Sequence, residues 1–453
     1  MEKKKSNKKI ILIVLVLVLV VGAFFGYRYI SSKKEPKTDL TETNTDAVLT
    51  DDEVNDSLSQ YPALADLDLD KVTEENSFPI PGLKATKTLT KNDAHAFSMC
   101  TTMTPQGLCR TDSYIFITAY CHTHKHNSVI YMMDANTHEF IKEIILPDKP
   151  HAGNLCYDPV NNNIWVACVG KAFFTGKSTA YLNCLNLNTI ETYDFNTSKE
   201  PITFDRSYEI YGYKNASFIS YYDRNIFVGN YRDNDESSSY VTRFPITEDG
   251  GLETETAEKS GESKKIAVGR ERAIIDKFCQ GVFFNEDMCL ITQSTGTETS
   301  QVLFFDAMDF KTDVQQMTGL EAKYREYLVH EHVINEYREE IEKKKEELSK
   351  EKDKNKKETL EKEIDDLESK LKEEEAKDSD FDKDEYLKQC SREVEYKLDS
   401  DSATDIYELP PRLEQAFISP YDGRLYVLFE SGADSYKDQI GADAVDRVLI
   451  GKP

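Results

Sequence analysis

One pattern of residues occurs five times in this 453-residue chain and limits the folds open to it. Each copy begins with a polar residue and a small residue, continues as a β-prone run, turns at an Asp- or Asn-rich stretch and returns as an apolar run. The returning runs begin at Ile115, Ile164, Ile226, Cys289 and Leu425, at intervals of 49, 62, 63 and 136 residues. Asn, Asp and Gly tolerate the dihedral angles of tight turns, so each copy predicts an antiparallel β-hairpin.

The interval between copies indicates a larger unit. An interval of about 50–60 residues suits a four-stranded blade with its loops, once an inserted segment is removed from the longest interval. We therefore predict an all-β, five-bladed β-propeller, with six blades as the alternative count. Residues 83–320 would form blades 1–4, and residues 398–453 would complete blade 4 and form blade 5. Because a ring must hide its edge strands, Leu83–Leu89 is predicted to supply the strand that the last blade lacks.

The insertion at residues 321–397 has a different composition. It is highly charged, and Leu360, Ile364, Leu367 and Leu371 follow the spacing of a heptad seam. A polar stretch at 352–355 separates this run from an earlier helical one, which predicts an antiparallel helical hairpin of the coiled-coil type. The hairpin is interpreted either as a solvated spacer or as an arm that binds a protein partner or self-associates.

The beginning of the chain predicts a membrane anchor. Five lysines precede an unbroken apolar run from Ile10 to Phe25, and about 20 apolar residues cross a bilayer as a helix. We predict a cytoplasmic basic tail at 1–9, a transmembrane helix at 10–29 that serves as signal-anchor, and an acidic flexible stalk at 30–82. The lysines favour a cytoplasmic N-terminus and a C-terminal domain that is extracellular or faces the cell wall. A cleaved signal peptide, the alternative, usually has a shorter apolar region.

The net charge of −26 and the cysteines exclude several classes of site. Nucleic acids need a basic footprint, so a nucleic-acid partner is excluded, whereas cations and basic partners would be attracted. The nine cysteines contain no CxxC pair, which excludes a zinc ribbon or a thioredoxin-type motif. They are interpreted as buried free thiols, with one or two disulfides left open.

The polar residues that open the copies are the first candidates for a binding site. The innermost strand of each propeller blade lines a central channel, so these residues would ring one mouth of it, and the second strand returns to the same face. Amide and hydroxyl groups there suit a glycan, a peptide or a protein partner, or serve only to pair backbone groups between blades. The candidate ligand-binding residues are Gln106, His151, Asn215, Gln280, Gln415, Tyr120, Ser294 and Glu430.

A histidine tract marks a candidate metal site on the same rim. His122, His124 and His126 alternate, so an extended chain would place the three imidazoles on one side. Imidazole suits Zn or another transition metal, and Cys121 offers a thiolate. Because the sequence names no carboxylate partner for the tract, solvated loop histidines are the alternative, and no cofactor is certain.

Two functions fit these patterns. The first is a membrane-anchored extracytoplasmic propeller that acts as a recognition or scaffold module for a glycan, peptide or protein partner. The alternative is an extracytoplasmic hydrolase or lyase, with or without a metal, for which Glu414 and Glu430 are the acids that could pair within one blade. The sequence has no GxSxG, HExxH or P-loop motif, and it leaves open whether the protein is an enzyme.

Parts of the chain resemble exported bacterial β-propeller proteins. The repeat rhythm resembles the NHL and YVTN type, and Thr104-Pro105-Gln106-Gly107, Pro410-Pro411 and Phe429-Glu430-Ser431-Gly432 resemble a group of unassigned function. The resemblance covers about residues 100–310 and 405–450 and implies a propeller fold and export. It departs from the seven-bladed lactonase-type members in blade count, so it implies nothing about catalysis.

Overall fold

Antiparallel β-sheets make up most of the computed structural model. It describes residues 41–90, 93–148, 150–173, 176–233, 239–259, 261–270, 272–306, 318–377, 381–382 and 397–453. Residues Glu42–Pro453 group into one unit by their contacts. The predicted tail at 1–9 and transmembrane helix at 10–29 lie outside the described residues. None of the helices in the described ranges combines the length and the apolar character that crossing a bilayer requires.

Residues 42–82 pack against the last sheet, so the flexible stalk predicted for 30–82 was wrong for this part. The segment contains helix α1 (Asp51–Leu58), a 3-10 helix (Pro62–Leu67) and strand β1 (Ser77–Pro79). Apolar residues scattered through an acidic stretch come together on one face of these elements, and their burial holds the segment in place. These residues are Val54, Leu58, Tyr61, Leu64, Leu67, Leu69 and Val72.

The first blade-like sheet follows a small two-stranded one. Strands β2 (Thr86–Thr90) and β3 (Asp93–Cys100) form this two-stranded sheet. The four-stranded sheet then has the order β4-β5-β6-β7. Its strands are β4 (Met103–Arg110), β5 (Tyr114–Cys121), β6 (Val129–Asp134) and β7 (Phe140–Ile145).

The second sheet is extended by a hairpin from later in the chain. Its own strands are β8 (Asn154–Asp158), β9 (Asn163–Lys171), β10 (Ser178–Asn186) and β11 (Arg206–Ile210), with helices α2 (Leu187–Thr192) and α3 (Phe195–Ser198) before β11. The third sheet begins with β12 (Phe218–Tyr222), β13 (Asn225–Gly229) and β14 (Ser239–Pro245). The hairpin of β15 (Thr254–Lys259) and β16 (Glu262–Ala267) then returns, and β16 pairs in parallel with β11. Strand β17 (Arg272–Ile275) completes the inner four strands of the third sheet.

The insertion interrupts the fourth sheet. After β18 (Cys279–Phe284), β19 (Met288–Gln293) and β20 (Ser300–Asp306) come the long helices α4 (Thr318–Lys350) and α5 (Lys354–Glu375). The chain returns as β21 (Lys397–Leu398), which pairs in parallel with β17, and as β22 (Asp405–Leu409). Strand β22 pairs with β20 as the outer strand of the fourth sheet.

The last sheet combines both ends of the described chain. It contains β23 (Leu413–Ile418), β24 (Leu425–Phe429) and, after helix α6 (Lys437–Ile440) and a 3-10 helix (Gly441–Asp443), β25 (Arg447–Gly451). Strand β1 pairs antiparallel with β25, and Phe78 lies opposite Val448. The prediction that Leu83–Leu89 supplies this strand was wrong, because most of that segment belongs to β2 and pairs with β3.

The first strands of the five large sheets contact one another in a cycle. Strand β4 contacts β8, β8 contacts β12, β12 contacts β18, β18 contacts β23, and β23 contacts β4. This is how the innermost strands of a β-propeller are arranged around its axis. Residues at equivalent positions in the five strands therefore face a common centre, although they are about 300 positions apart in the chain.

The inserted helices pack side by side and against the hairpin that extends the second sheet. Tyr337 and Ile341 of α4 and Ile364 and Leu367 of α5 are buried together, and Lys344 pairs with Glu363 at 2.6 Å. The same apolar cluster contains Val329 and Val333 of α4 with Ala257, Ile266 and Val268 of the hairpin region. The insertion is thus attached along the first half of α4.

Candidate functional site

The first strands of the sheets begin at a polar rim. Gln106 in β4 is 5% exposed, and its Nε2 donates to Glu430 Oε2 at 3.1 Å. The other carboxylate oxygen of Glu430 accepts a hydrogen bond from Arg412 Nη1 at 2.8 Å. Glu430 directly follows β24, so these contacts join the last sheet to the first. The structure thereby brings together two of the predicted rim residues.

Gln415 makes a second link across the same junction, but its position in the strand differs from that of Gln106. Its Oε1 accepts a hydrogen bond from the backbone N–H of Leu108 at 2.5 Å. Strands β4, β18 and β23 each contain a β-bulge, where one residue has no partner in the pairing register. That residue is Gln106 in β4, Gln280 in β18 and Glu414 in β23. The structural equivalent of Gln106 in the last sheet is therefore Glu414, whereas the repeat comparison aligned Gln415 with it.

Glu414 and Glu430 form a buried carboxyl pair. Each is 4% exposed, and their side chains hydrogen-bond to each other. Burial raises the pKa of Glu414 well above its usual value, and the neighbouring charge of Glu430 raises it further. Burial likewise raises the pKa of Glu430 to about 7, although the Arg412 guanidinium opposes this. The pair therefore holds a proton between two carboxyl groups that are covered from solvent.

Three imidazoles surround Tyr120 at the open side of this rim. The Tyr120 ring lies 4.2 Å from the ring of His151, 6.2 Å from that of His122 and 6.0 Å from that of His124. The hydroxyl groups of Tyr120 and Tyr436 both lie 3.4 Å from His122 Nδ1. Desolvation by the surrounding side chains lowers the pKa of His151 to about 4, and the nearby His124 and His122 act in the same direction. We call these five residues the Tyr120 cluster.

The histidine tract is divided between two environments. His122 and His124 are exposed in the Tyr120 cluster, whereas His126 is 3% exposed. His124 has a φ of 53°, so the tract turns instead of remaining extended. Among the described residues, the three predicted ligands are not grouped within 4.8 Å; His126 is grouped instead with Cys100 and Cys121. That thiol and imidazole set suits Zn²⁺, and His126 Nδ1 lies 3.4 Å from Cys121 Sγ.

The other predicted rim residues have separate environments. Asn215 is exposed, and its Nδ2 donates to Ser217 Oγ at 3.4 Å. Gln280 is half-buried at the bulge of β18. Ser294 is buried just after β19, where its backbone N–H donates to the carbonyl of Phe278 at 2.9 Å. The eight described cysteines are all buried free thiols.

A cavity opens at the other end of the same inner strands. It has a volume of about 390 Å³, and all five first strands contribute to its wall. The lining is mainly apolar, with the buried Leu155, Ile219 and Phe417 and the half-buried Phe283. The volume falls within the range of ligand-binding clefts. We call it the channel cavity.

Tyrosines and one arginine form the polar part of the channel cavity. Tyr157 Oη donates to Asn162 Oδ1 at 2.8 Å, and Tyr221 Oη accepts from the backbone N–H of Arg224 at 3.3 Å, so adjoining turns hold both rings. The guanidinium of Arg110 lies 5.6 Å from the centre of the Tyr421 ring, and its Nη1 donates to Ser419 Oγ at 3.1 Å. Burial raises the pKa of Tyr221 and of Tyr421 to about 12, so both phenols stay neutral.

Comparisons with known proteins show only distant similarity. No protein-family model matches this chain, and no curated protein sequence matches it. A periplasmic gluconolactonase from Pseudomonas aeruginosa has 10% identity over 43% of this chain and 50% of its own length, with a TM-score of 0.26. The match thus spans about half the length of that protein.

Two further structures have similarly low sequence identities and TM-scores. A proposed oxidoreductase (glucose dehydrogenase) from Thermus thermophilus has 8% identity over 84% of this chain and 92% of its own, with a TM-score of 0.34. The β-propeller domain of the Trilobed protease from Pyrococcus furiosus has 10% identity over 48% and 73%, with a TM-score of 0.24. These similarities are too low to bear on activity or substrate.

The channel cavity was missed at the sequence level because its residues read as ordinary β-strand core. Leu155, Ile219 and Phe417 alternate with their neighbours as any buried strand residue does. The signal that could have found it is the recurrence of tyrosine at the end of the first strand or in the turn after it, at Tyr157, Tyr221 and Tyr421.

Proposed function

We propose that this protein is a membrane-anchored, extracytoplasmic five-bladed propeller that recognises a peptide segment of a partner protein in the channel cavity. The observation that carries the proposal is the cavity itself, which is mainly apolar and receives wall residues from all five first strands. An apolar side chain of the peptide would enter between Leu155, Ile219 and Phe417 and be removed from water. Burying one such side chain contributes about 1.5–3 kcal/mol.

The lining favours a peptide over a glycan. A sugar presents hydroxyl groups on every side, and each loses affinity if it is buried without a hydrogen-bond partner. Here the hydroxyl groups of Tyr157 and Tyr221 bond to adjoining turns, and Arg110 contacts Ser419. Because the chain carries a net charge of −26, basic residues on either side of the apolar peptide side chain would increase the rate of association.

The membrane anchor and the location rest on the sequence. The lysine-rich start and the apolar run from Ile10 to Phe25 support a helix that holds residues 42–453 outside the cytoplasm. The resemblance to exported NHL and YVTN propellers supports the same location. The blade count of five is supported by the cycle of contacts among β4, β8, β12, β18 and β23.

Recognition has more support than hydrolysis. A glycoside hydrolase of the usual kind needs two carboxyl groups that reach the substrate, with one protonated and one ionised. Glu414 and Glu430 have the shared proton, but each is 4% exposed and Glu430 is occupied by Arg412 and Gln106. We therefore assign Glu414 and Glu430 a structural role, in which they link the last sheet to the first.

A parallel screen of the full chain against a displayed peptide library and a glycan array tests the proposal. We expect peptides that share one aromatic or branched apolar residue, and we expect Tyr221→Ala to weaken their binding at least ten-fold. Tyr407→Ala is the matched control, because Tyr407 is also half-buried but lies on the outer strand β22 of the fourth sheet. Selection of glycans alone, or equal binding by both variants, would contradict the proposal.

A further inference from the structure

A group of metal-ligating side chains lies away from both ends of the inner strands, where α4 meets the second sheet. Glu209 is on β11, and His332 and Glu336 are one helical turn apart on α4, so they share a face of the helix. His332 Nε2 lies 3.6 Å from Glu336 Oε1 and 4.0 Å from Glu209 Oε1. One ligand atom from each of the three residues lies within 4.8 Å of the other two.

Two of these ligand atoms are buried without a hydrogen bond. In the part of the chain that the structure describes, neither Glu209 Oε1 nor His332 Nε2 has a hydrogen-bond partner. Glu209 is 1% exposed and Glu336 is 6% exposed. Leaving a carboxylate oxygen buried and unpaired is unfavourable, and a bound cation would remove that cost. The positive charge of Lys264 favours the ionised form of Glu209. Its ammonium group, however, lies over the rings of Phe173 and Tyr181.

The surroundings orient the ligands. Glu209 Oε2 accepts a hydrogen bond from the backbone N–H of Phe173 at 3.1 Å, which leaves Oε1 directed at the helix. The His332 ring packs edge-on against Tyr211, with ring centres 5.3 Å apart. The apolar contacts of Val329 and Val333 with the second sheet flank the group. Contacts of this kind around the ligands increase the affinity of protein metal sites.

We propose that Glu209, His332 and Glu336 bind a divalent transition-metal ion, with Zn²⁺ as the first candidate, and that the ion fastens the inserted helices to the second sheet. One imidazole and two carboxylates form a ligand set that Zn²⁺ accepts. Ligand atoms about 2.0–2.2 Å from a common ion are separated by about 3.0–3.7 Å. The observed separations of 3.6 and 4.0 Å reach this range after small side-chain movements.

The ion has a structural role in this proposal. Without it, the contact between the insertion and the second sheet consists of an apolar patch and a few ion pairs such as Lys259 with Glu340 at 3.1 Å. With it, the ion adds direct bonds between α4 and β11. Binding to the folded state alone also raises the stability of the whole chain in proportion to the logarithm of the ion concentration.

Metal analysis of the full chain tests the site. The protein is stripped with a chelator, reloaded with Zn²⁺, passed through a desalting column and assayed for bound metal and thermal midpoint. We expect the protein to bind about one equivalent of Zn²⁺ in addition to any that Cys100, Cys121 and His126 hold. We also expect Zn²⁺ to raise the thermal midpoint of unfolding by several degrees. His332→Ala and Glu209→Gln should each lose that equivalent and the rise in midpoint. His330→Ala is the matched control, because His330 lies on the same helix but contacts Glu374.

The variants separate this site from the thiol site. The His126→Ala variant should still bind the Zn²⁺ ion that is assigned to Glu209, His332 and Glu336. Only Zn²⁺ bound at the thiol site should change. The proposal is overturned if the reloaded protein holds no Zn²⁺, or if His126→Ala loses all bound metal while Glu209→Gln keeps it. Should His332→Ala fail to fold, as seen in its circular dichroism spectrum, Glu336→Gln replaces it, and unchanged Zn²⁺ binding in that variant is equally decisive against the proposal.

Discussion

The carboxylate of Glu430 accepts a hydrogen bond from the amide of Gln106, a residue 324 positions earlier in the chain. The bond crosses the junction between the last sheet and the first, where the cycle of inner strands closes. Gln415 crosses the same junction to Leu108, and Arg110 crosses it to Ser419. Three side-chain hydrogen bonds, all to buried groups, therefore fasten the ring at the place where its two ends meet.

Removing the Gln415 side chain should weaken this closure. Gln415→Ala leaves the backbone N–H of Leu108 buried and unpaired, and we expect a loss of about 1–3 kcal/mol in the free energy of unfolding. Chemical denaturation measures the loss. Gln439→Ala, at an exposed position in α6, is the control and should leave stability unchanged. Equal stability of the two variants would show that the junction does not depend on this bond.

The carboxyl pair predicts a particular dependence of stability on pH. Because the folded state raises the pKa of Glu430 to about 7, it binds the proton more tightly than the unfolded state, whose pKa is about 4.3. The stabilisation is present at low pH and is lost as the pH rises through this interval. Glu414→Gln removes one titrating group, so the variant should lose less stability than the wild type between pH 5 and pH 8.

Thermal midpoints measured across this range test the pH prediction. Glu408→Gln removes an exposed carboxylate from the neighbouring strand β22 and should follow the wild-type profile. At pH 8 the Glu414→Gln midpoint should equal or exceed that of the wild type. Parallel profiles for wild type and Glu414→Gln would contradict the assignment of a shared proton to this pair.

Residues 42–82, which precede the ring of sheets, should contribute to the stability of the fold through their buried apolar side chains. Leu64 is fully buried in the 3-10 helix, so Leu64→Ala should cost about 2–5 kcal/mol in the free energy of unfolding. Val160→Ala, which removes a similar side chain from an exposed turn, should change it by no more than about 0.5 kcal/mol. If Leu64→Ala behaved like Val160→Ala, residues 42–82 would act as the flexible stalk after all.

Much of the fold could be predicted because its signals are local. The Asn- and Asp-rich turns identified the hairpins, and the interval between copies identified five sheets. The residues after the insertion were expected to complete blade 4, and β22 lies there, paired with β20. The packing of residues 42–82 escaped prediction because Val54, Leu67 and Leu69 each adjoin acidic residues in the sequence and come together only when the segment folds.

The site was predicted less completely because its geometry depends on strand register. The structure brings Gln106 close to Glu430 and Tyr120 close to His151, while ligand binding by these residues stays a prediction. The bulges at Gln106, Gln280 and Glu414 cannot be read from residue types, so the repeat comparison matched Gln415 to Gln106 by its amide alone. The left-handed turn at His124, which separates the three histidines, is equally invisible to an alternating pattern.

A crystal structure of the full chain with a selected peptide would show whether the channel cavity binds it. We expect electron density for an apolar peptide side chain inside the channel cavity, in contact with Ile219 and Phe417, which belong to different sheets. A peptide bound instead at the Tyr120 cluster or along the inserted helices, with the cavity left unfilled, would contradict it.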